Sequence, residues 1–173
     1  MMTGQLEKRG ASVPQAQGRK LTGYAAVFNS PAPIAGFTEV IRPGAFKASL
    51  AGHDIVAMID HQPGRILGRT KSGTLRLRED EKGLAYEIDL PDTSEARDLL
   101  ALAERGDLGG MSFGFTVPEG GQRWAGNKTR ELTRVDLHEI SVIHAWPAYN
   151  GTSVEARHKA PKLAQARRYM ETV

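Results

Sequence analysis

Alternation of apolar and polar residues is clearest between residues 73 and 92, in GTLRLREDEKGLAYEIDLPD. Leu75 and Leu77 alternate with arginines, and after the turn EDEKG every second residue from 84 to 90 is apolar. Such a period of two is typical of a strand with one buried face. The segment therefore predicts an antiparallel hairpin, with its exposed arginines opposite Glu and Asp.

The pattern then changes to the period of a helix. Apolar residues at 96, 99, 100 and 103 recur at helical spacing and form one stripe. Asp92 with Glu95 three positions later fits a capping box, and Gly106 is a suitable stop. We expect a helix between these signals.

The remaining elements are mostly strands. Alternation or short apolar runs predict strands at 20–29, 38–46, 54–60, 111–117, 129–137 and 138–145. A brief helix is expected over 46–51, and the glycine-rich segment 118–128 is expected to be a loop. The strand 54–60 is apolar on both faces, which indicates a central position, and His61 stands at its end. Hairpins without βαβ units predict an α+β, mainly β fold: an antiparallel closed β-barrel flanked by helices.

The two ends of the chain lack a periodic pattern. Residues 1–19 are predicted to be a disordered arm, residues 20–155 a single domain, and residues 156–173 a basic, flexible tail. The net charge of +3 lies largely in that tail, and a solvated end is its simplest interpretation. No specific nucleic-acid partner is expected.

The composition and motifs of the chain exclude several classes of function. The chain has no Cys, which excludes disulfides and thiolate chemistry. No apolar run approaches the ~18 residues of a membrane span, and the N-terminus lacks a secretory signal, so intracellular residence without a membrane is expected. His61 with Asp60 and His138 with Glu139 match no metal-ligand spacing, and phosphate-loop and dinucleotide motifs are absent. No metal or cofactor is expected.

Ser112, in 109-GGMSFGF-115, is a candidate nucleophile. A period of two places it on the face opposite Phe113, beside Gly114, where a substrate backbone has room to approach. The Gly109-Gly110 pair is expected to offer unhindered backbone N–H groups of the kind that an oxyanion hole needs, and Gly110 and Met111 are the predicted oxyanion and substrate-binding residues. A serine in such a strand is also common as a packed hydroxyl, so the residues by themselves leave both interpretations open.

A serine needs a base, and the base needs an orienting acceptor. His61 is the best placed of the five histidines, because it stands where a buried strand meets a loop. Glu139 shares a strand face with Leu137 and Ser141 and is the predicted orienting group. His144 points to the opposite face from Glu139.

Five blocks of sequence, in order, carry a resemblance to a known family. They are 23-GYAAVFN-29, 39-EVIRPGAF-46, 60-DHQPGRILGR-69, 106-GDLGGMSFGF-115 and 139-EISVIHAWPAYNGTSV-154. Together they resemble the prohead maturation proteases of tailed phages, which are related in fold to herpesvirus assemblins. The resemblance implies a serine endopeptidase with His61 as base, Ser112 as nucleophile and Glu139 as third member. The herpesvirus relatives use a histidine as third member, which keeps His144 in consideration.

The resemblance also implies partners and a place of action. The expected substrate is the major capsid protein or a scaffold protein, cleaved inside the assembling prohead in the cytoplasm of a bacterial host, together with self-cleavage. A homodimer or higher oligomer is compatible with it. The alternative is a non-catalytic capsid-assembly module on the same fold, which an intact His61, Ser112 and Glu139 disfavour.

Overall fold

A computed structural model of the chain describes residues 6–11 and 14–145. The predicted tail, 156–173, lies outside the described residues. Within them the elements follow in this order: β1 (Glu7–Ala11), β2 (Gln15–Gln17), β3 (Lys20–Val27), β4 (Ala32–Ile34), β5 (Phe37–Ile41), α1 (Lys47–Gly52), β6 (Val56–Ile59), β7 (Gln62–Arg69), β8 (Leu75–Glu79), β9 (Gly83–Asp89), α2 (Ser94–Arg105), β10 (Gly110–Thr116), β11 (Gln122–Ala125), β12 (Thr129–Leu132) and β13 (Asp136–Ile143).

The strands form three open sheets, so the predicted closed β-barrel is wrong. Their orders are β1-β10-β13-β6-β7, β11-β12-β5-β4 and β2-β3-β9-β8, and no sheet of the described residues returns to its first strand. Two of the pairings, β13 with β6 and β12 with β5, are parallel. Parallel pairing joins strands that are distant in sequence, and hairpin signals do not report it.

The hairpin predicted at 73–92 is confirmed. It consists of β8 and β9, which pair with Arg76 opposite Glu87. The Arg76 guanidinium bonds to the Glu87 and Asp89 carboxylates on the exposed face, as cross-strand charge pairing favours. These exposed ion pairs contribute little stability, so the buried leucines are what hold the hairpin to the core.

Helix α2 is also confirmed, but its cap differs from the predicted one. Thr93, rather than Asp92, is the N-cap residue, and its side chain accepts a hydrogen bond from the Ala96 N–H at 3.2 Å. Gly106 ends the helix in the left-handed conformation, with φ of 76°. Neither helix in the described part of the chain is long and apolar enough to cross a bilayer.

Two segments predicted to lack strands contain them. β1 and β2 lie within 1–19, and the expected loop 118–128 contains β11, which forms an exposed hairpin with β12. β1 is held by a ladder with β10 and by Arg9, which bonds to the buried Glu39. From the sequence alone such charged residues are expected to be solvated. Their partners come from distant strands and have no local signal.

The predicted final pair of strands does not pair. β12 lies between β11 and β5, whereas β13 lies between β10 and β6 in another sheet. Ser49 on α1 sets the beginning of β13: its Oγ donates to the Val135 carbonyl at 2.7 Å and accepts from the Leu137 N–H at 2.9 Å. This buried link matters for function, because β13 carries Glu139.

The core lies against one face of β10. The Phe113 ring contacts Phe46 and Phe115, with centroid distances of 5.8 and 5.3 Å. Met111, Phe113 and Phe115 are all buried, as the alternation within this strand predicts. The other face of β10 is therefore the one that carries Ser112.

Candidate active site

Ser112 and Glu139 lie on one face of the sheet, on neighbouring strands. In the β10–β13 ladder Ser112 is opposite Ser141, and Gly114 is opposite Glu139. Residues directly opposite each other in an antiparallel pair point to the same face. The serine and the carboxylate are therefore neighbours along a diagonal of this ladder.

The predicted face of Glu139 needs one correction. The ladder shifts between Gly114 and Phe115, and Leu137 is opposite Phe115 while Glu139 is opposite Gly114. His138 is the extra residue of this irregularity, so Leu137 lies on the core side and Glu139 on the Ser112 side. A strict period of two predicts Leu137 and Glu139 on one face. That prediction is wrong, because a β-bulge reverses the alternation.

His61 belongs to a tight turn and not to the end of a longer strand. β6 ends at Ile59 and β7 begins at Gln62, which is its partner in the ladder. The two residues between them, Asp60 and His61, have φ of 49° and 58°. Positive φ at both positions is the pattern of a type I′ hairpin turn, where Asn-Gly is usual. Residues with a Cβ are strained there, and such strain is concentrated at functional sites.

Hydrogen bonds to β13 hold this strained turn. The Asp60 N–H donates to the Val142 carbonyl, and the His61 N–H donates to Ser141 Oγ, both at 2.9 Å. Ser141 is fully buried and lies directly opposite Ser112. The bond therefore places the backbone of His61 beside Ser141, the residue that pairs with the candidate nucleophile.

The His61 ring is bonded to Glu139. His61 Nδ1 lies 2.6 Å from Glu139 Oε1, and the two side chains are only 7% and 8% exposed. When the carboxylate is ionised it can only accept, so this bond requires the proton on Nδ1 and leaves the Nε2 lone pair as the acceptor of the ring. This is the tautomer in which a histidine takes a proton from a serine.

His144 has a different partner. Its Nδ1 lies 2.7 Å from Asp60 Oδ2, and its backbone N–H donates to Asp60 Oδ1 at 3.0 Å. Burial raises the pKa of the Asp60 carboxyl, but the hydrogen bonds from His144 and the charges of His144 and Arg65 outweigh it, and the pKa lies below its usual value. The structure therefore contains two separate histidine–carboxylate pairs around one turn.

The Ser112 hydroxyl is buried and without a partner. The residue is 1% exposed, and its Oγ makes no hydrogen bond within residues 6–11 and 14–145. Glu139 Oε2 is likewise buried and unpaired. Buried polar atoms are normally hydrogen-bonded, so two orphans on one face require an explanation. Catalytic hydrogen bonds that form only with the substrate in place provide one.

The predicted oxyanion residues adjoin Ser112 at the beginning of β10. Gly110 has φ of 133° and is opposite Ile143, and Met111 is fully buried. The Gly109 N–H already donates to the Ile143 and His144 carbonyls, at 2.9 and 3.1 Å. Gly109 is therefore not among the donors open to a substrate.

Residues 110–114, GMSFG, also match the letters of the G-x-S-x-G nucleophile elbow. In that motif the serine stands on a sharp turn between a strand and a helix. Here Ser112 is inside β10, which continues to Thr116. The resemblance is to the letters and not to the elbow.

No group of three or more potential metal ligands occurs among the described residues. In each of the two pairs at this turn, the histidine is hydrogen-bonded to its own carboxylate. The chemistry that this arrangement supports is activation of a serine hydroxyl by a carboxylate-oriented histidine.

A family model described as the caudovirus prohead serine protease matches residues 5–166 of the chain. The chain belongs to this family. The curated relatives include the prohead protease of Enterobacteria phage HK97, which is 38% identical over 99 residues. That match covers 55% of this chain and 41% of the relative, so it spans less than half of the relative's length. No solved structure matches the chain.

Gly114 has a second role in this candidate site besides leaving room for a substrate. A Cβ at this position would clash with Glu139 Oε1 and lie 3.0 Å from Cδ of the same side chain. The glycine makes room for the carboxylate that holds His61. The G-x-S-x-G letters single out Gly114 in the sequence. Its role becomes clear only from its ladder partner, Glu139.

We expect Gly114→Ala to reduce activity by displacing Glu139 from His61. A loss of about 10²-fold or more corresponds to a misaligned catalytic group, measured as turnover of a peptide substrate. Gly52→Ala is the matched control, because a Cβ there meets nothing within 4 Å and the residue closes a helix. Equal activity of both variants would show that Gly114 has no role in placing Glu139.

Proposed function

We propose that the protein is a serine endopeptidase in which Ser112 is the nucleophile, His61 the base and Glu139 the orienting carboxylate. The observation that carries the proposal is the 2.6 Å bond between His61 and Glu139, beside the strand of Ser112. The family description of a prohead serine protease supports the same activity.

The proposed reaction follows from the tautomer of His61. Nε2 takes the proton of Ser112 as Oγ attacks the peptide carbonyl, and Glu139 stabilises the imidazolium through Nδ1. Donors at Gly110 and Met111 bind the developing oxyanion. The imidazolium then gives its proton to the leaving amine, and water hydrolyses the acyl-enzyme with His61 again as base.

The substrate is proposed to be the major capsid protein or a scaffold protein, with the chain itself as a further substrate. Action inside the assembling prohead, in the cytoplasm of the bacterial host, is the matching location. The support is the family description and the name of the HK97 relative, prohead protease.

Labelling with a fluorophosphonate tests the nucleophile directly. We expect incubation for several hours at neutral pH to modify Ser112, identified by peptide mass spectrometry. His61→Ala should remove the labelling, because the serine loses its base. Ser141 serves as an internal control, since it is equally buried on the same face but already bonded to the His61 N–H.

The same experiment separates the enzyme from a non-catalytic capsid-assembly module. A folded protein that leaves Ser112 unmodified, or that reacts equally well with His61→Ala, would contradict the proposed activity. Labelling confined to Ser112 and dependent on His61 would exclude the binding module.

A further inference from the structure

β1 is the strand beside Ser112 on the outer side of the sheet. It pairs antiparallel with β10, and Gly10 is opposite Ser112. We propose that this edge of β10 is a binding site for an extended peptide, and that the chain's own β1 occupies it and blocks the site. The proposal rests on the proposed function, because it takes Ser112 as the reacting group.

The sheet order shows which neighbour of β10 can leave. β13, on one side, carries Glu139 and lies centrally, so its removal would dismantle the site. β1, on the other side, is the terminal strand and has β10 as its ladder partner. Its departure exposes an edge without breaking another ladder, and free edges bind peptides by adding a strand.

The residues of β1 fit the position of a substrate. Gly10 presents no side chain at the point opposite Ser112, so its backbone lies close to the serine. β1 fills the ladder positions along this edge and Ser112 is 1% exposed, so a peptide substrate cannot pair here until β1 leaves. A strand bound in the same register would place its own backbone where Gly10 now lies.

Arg9 supplies the side-chain anchor of this strand. Its guanidinium bonds to both oxygens of Glu39, at 2.6 and 3.0 Å, and lies 5.4 Å from the centroid of the Phe115 ring. Bidentate bonding and stacking are properties of arginine that lysine does not reproduce. The peptide that fits this edge is therefore an extended segment with an arginine followed by a small residue opposite Ser112.

The contact between Arg9 and Glu39 can be broken without leaving Glu39 unpaired. Glu39 is 2% exposed, and a carboxylate left alone at that depth is costly. Arg130 Nη1 also lies 3.0 Å from Glu39 Oε2, and although Arg130 bonds to Glu7 of β1 as well, its bond to Glu39 joins two residues outside β1. Glu39 therefore keeps one cation when Arg9 leaves, which lowers the cost of exchanging β1 for another strand.

Peptide binding to the full-length chain tests the proposal without relying on catalysis. The probe is the fluorescein-labelled amide of LEKRGA, residues 6–11, and the readout is fluorescence anisotropy. The proteins carry Ser112→Ala, so that the probe stays intact. With Arg9→Ala added, the probe should bind at least tenfold more tightly than with native β1, which competes intramolecularly at a high effective concentration.

Two controls define the site. A probe in which the arginine is replaced by alanine should bind the Arg9→Ala/Ser112→Ala chain at least tenfold more weakly. Arg76→Ala in place of Arg9→Ala should leave binding as in Ser112→Ala, because Arg76 belongs to an exposed ion-pair group on β8. Glu7→Ala is a milder second variant, since it removes only the bonds to Arg9 and Arg130.

Amide exchange and labelling rates complete the test. Arg9→Ala should raise exchange in residues 7–11 and increase the rate of fluorophosphonate labelling at Ser112 at least tenfold. Equal probe binding with native and substituted β1 would overturn the proposal, as would failure of both Arg9→Ala and Glu7→Ala to fold. Probe binding without any labelling of Ser112 would overturn the proposed activity and leave the peptide site standing.

Discussion

Ser112→Ala is expected to abolish proteolysis and, at the same time, to stabilise the fold. Co-expression with the major capsid protein encoded in the same genome, followed by mass spectrometry, should show intact partner and intact chain. Loss of a serine nucleophile costs about 10⁴-fold or more in turnover, because the remaining groups form no acyl-enzyme.

The gain in stability follows from the unpaired hydroxyl. Ser112 Oγ is buried without a hydrogen-bond partner within the described residues, and leaving such a group unsatisfied costs about 1–3 kcal/mol. Replacement by alanine removes that cost. We expect the free energy of unfolding to rise by about 1 kcal/mol, or the Tm by about 2–4 °C.

Ser141→Ala is the matched control for Ser112→Ala. Both serines are buried and opposite each other in one ladder, but Ser141 Oγ accepts a hydrogen bond from the His61 N–H. Its loss leaves that N–H without its acceptor, so stability should fall by about 1–3 kcal/mol. Continued cleavage by folded Ser112→Ala, or the same direction of stability change in both variants, would contradict the assignment.

Glu139→Gln is expected to reduce turnover by about 10²–10⁴-fold, as in a triad that loses its carboxylate. The amide carries no charge to stabilise an imidazolium, and it offers His61 Nδ1 either a donor or a weaker acceptor. The fold should remain, since the side chain keeps its size and one of its oxygens is already unpaired. Peptide turnover and urea unfolding measure the two effects.

His144→Gln is the comparison that separates the two histidine–carboxylate pairs. His144 bonds to Asp60 and touches His61 only through the turn, so its replacement should cost less than tenfold in turnover. The reverse ranking of Glu139→Gln and His144→Gln would make His144 the third catalytic member. The Ser112–His61 dyad would be unaffected by that result.

Local sequence determined the elements whose contacts are also local. The β8–β9 hairpin follows from alternation on both sides of one turn, and the stop of α2 follows from Gly106. The face of β10 that packs on the aromatic core follows from Met111, Phe113 and Phe115, because these residues keep the alternation of a strand. The cap of α2 was misassigned by one residue, since Asp92 and Thr93 are both good N-cap types and only backbone geometry distinguishes them.

The candidate residues of the site come from the sequence, but their arrangement comes from the structure. Sequence reasoning selected His61, Ser112 and Glu139 from strand positions and from family resemblance. The structure joins His61 to Glu139 through a parallel pairing of β6 with β13 and a two-residue turn with positive φ. The parallel pairing has no local signature, because it joins strands that are distant in sequence. The turn has none either, because Asp-His is an unusual pair for a turn of this type.

Sequence by itself therefore determined the β8–β9 hairpin, helix α2 and the face of β10 that packs on the aromatic core, and it nominated the candidate side chains of the site. Tertiary structure alone decided that the sheets stay open, that a shift in the β10–β13 ladder turns Glu139 toward Ser112, and that β1 completes the sheet. The physical reason is that these outcomes depend on strand pairing between distant segments. Arg9 is the clearest example. In the sequence it is a charged residue of an arm without a pattern, but in the fold it forms a buried ion pair with Glu39, thirty residues away.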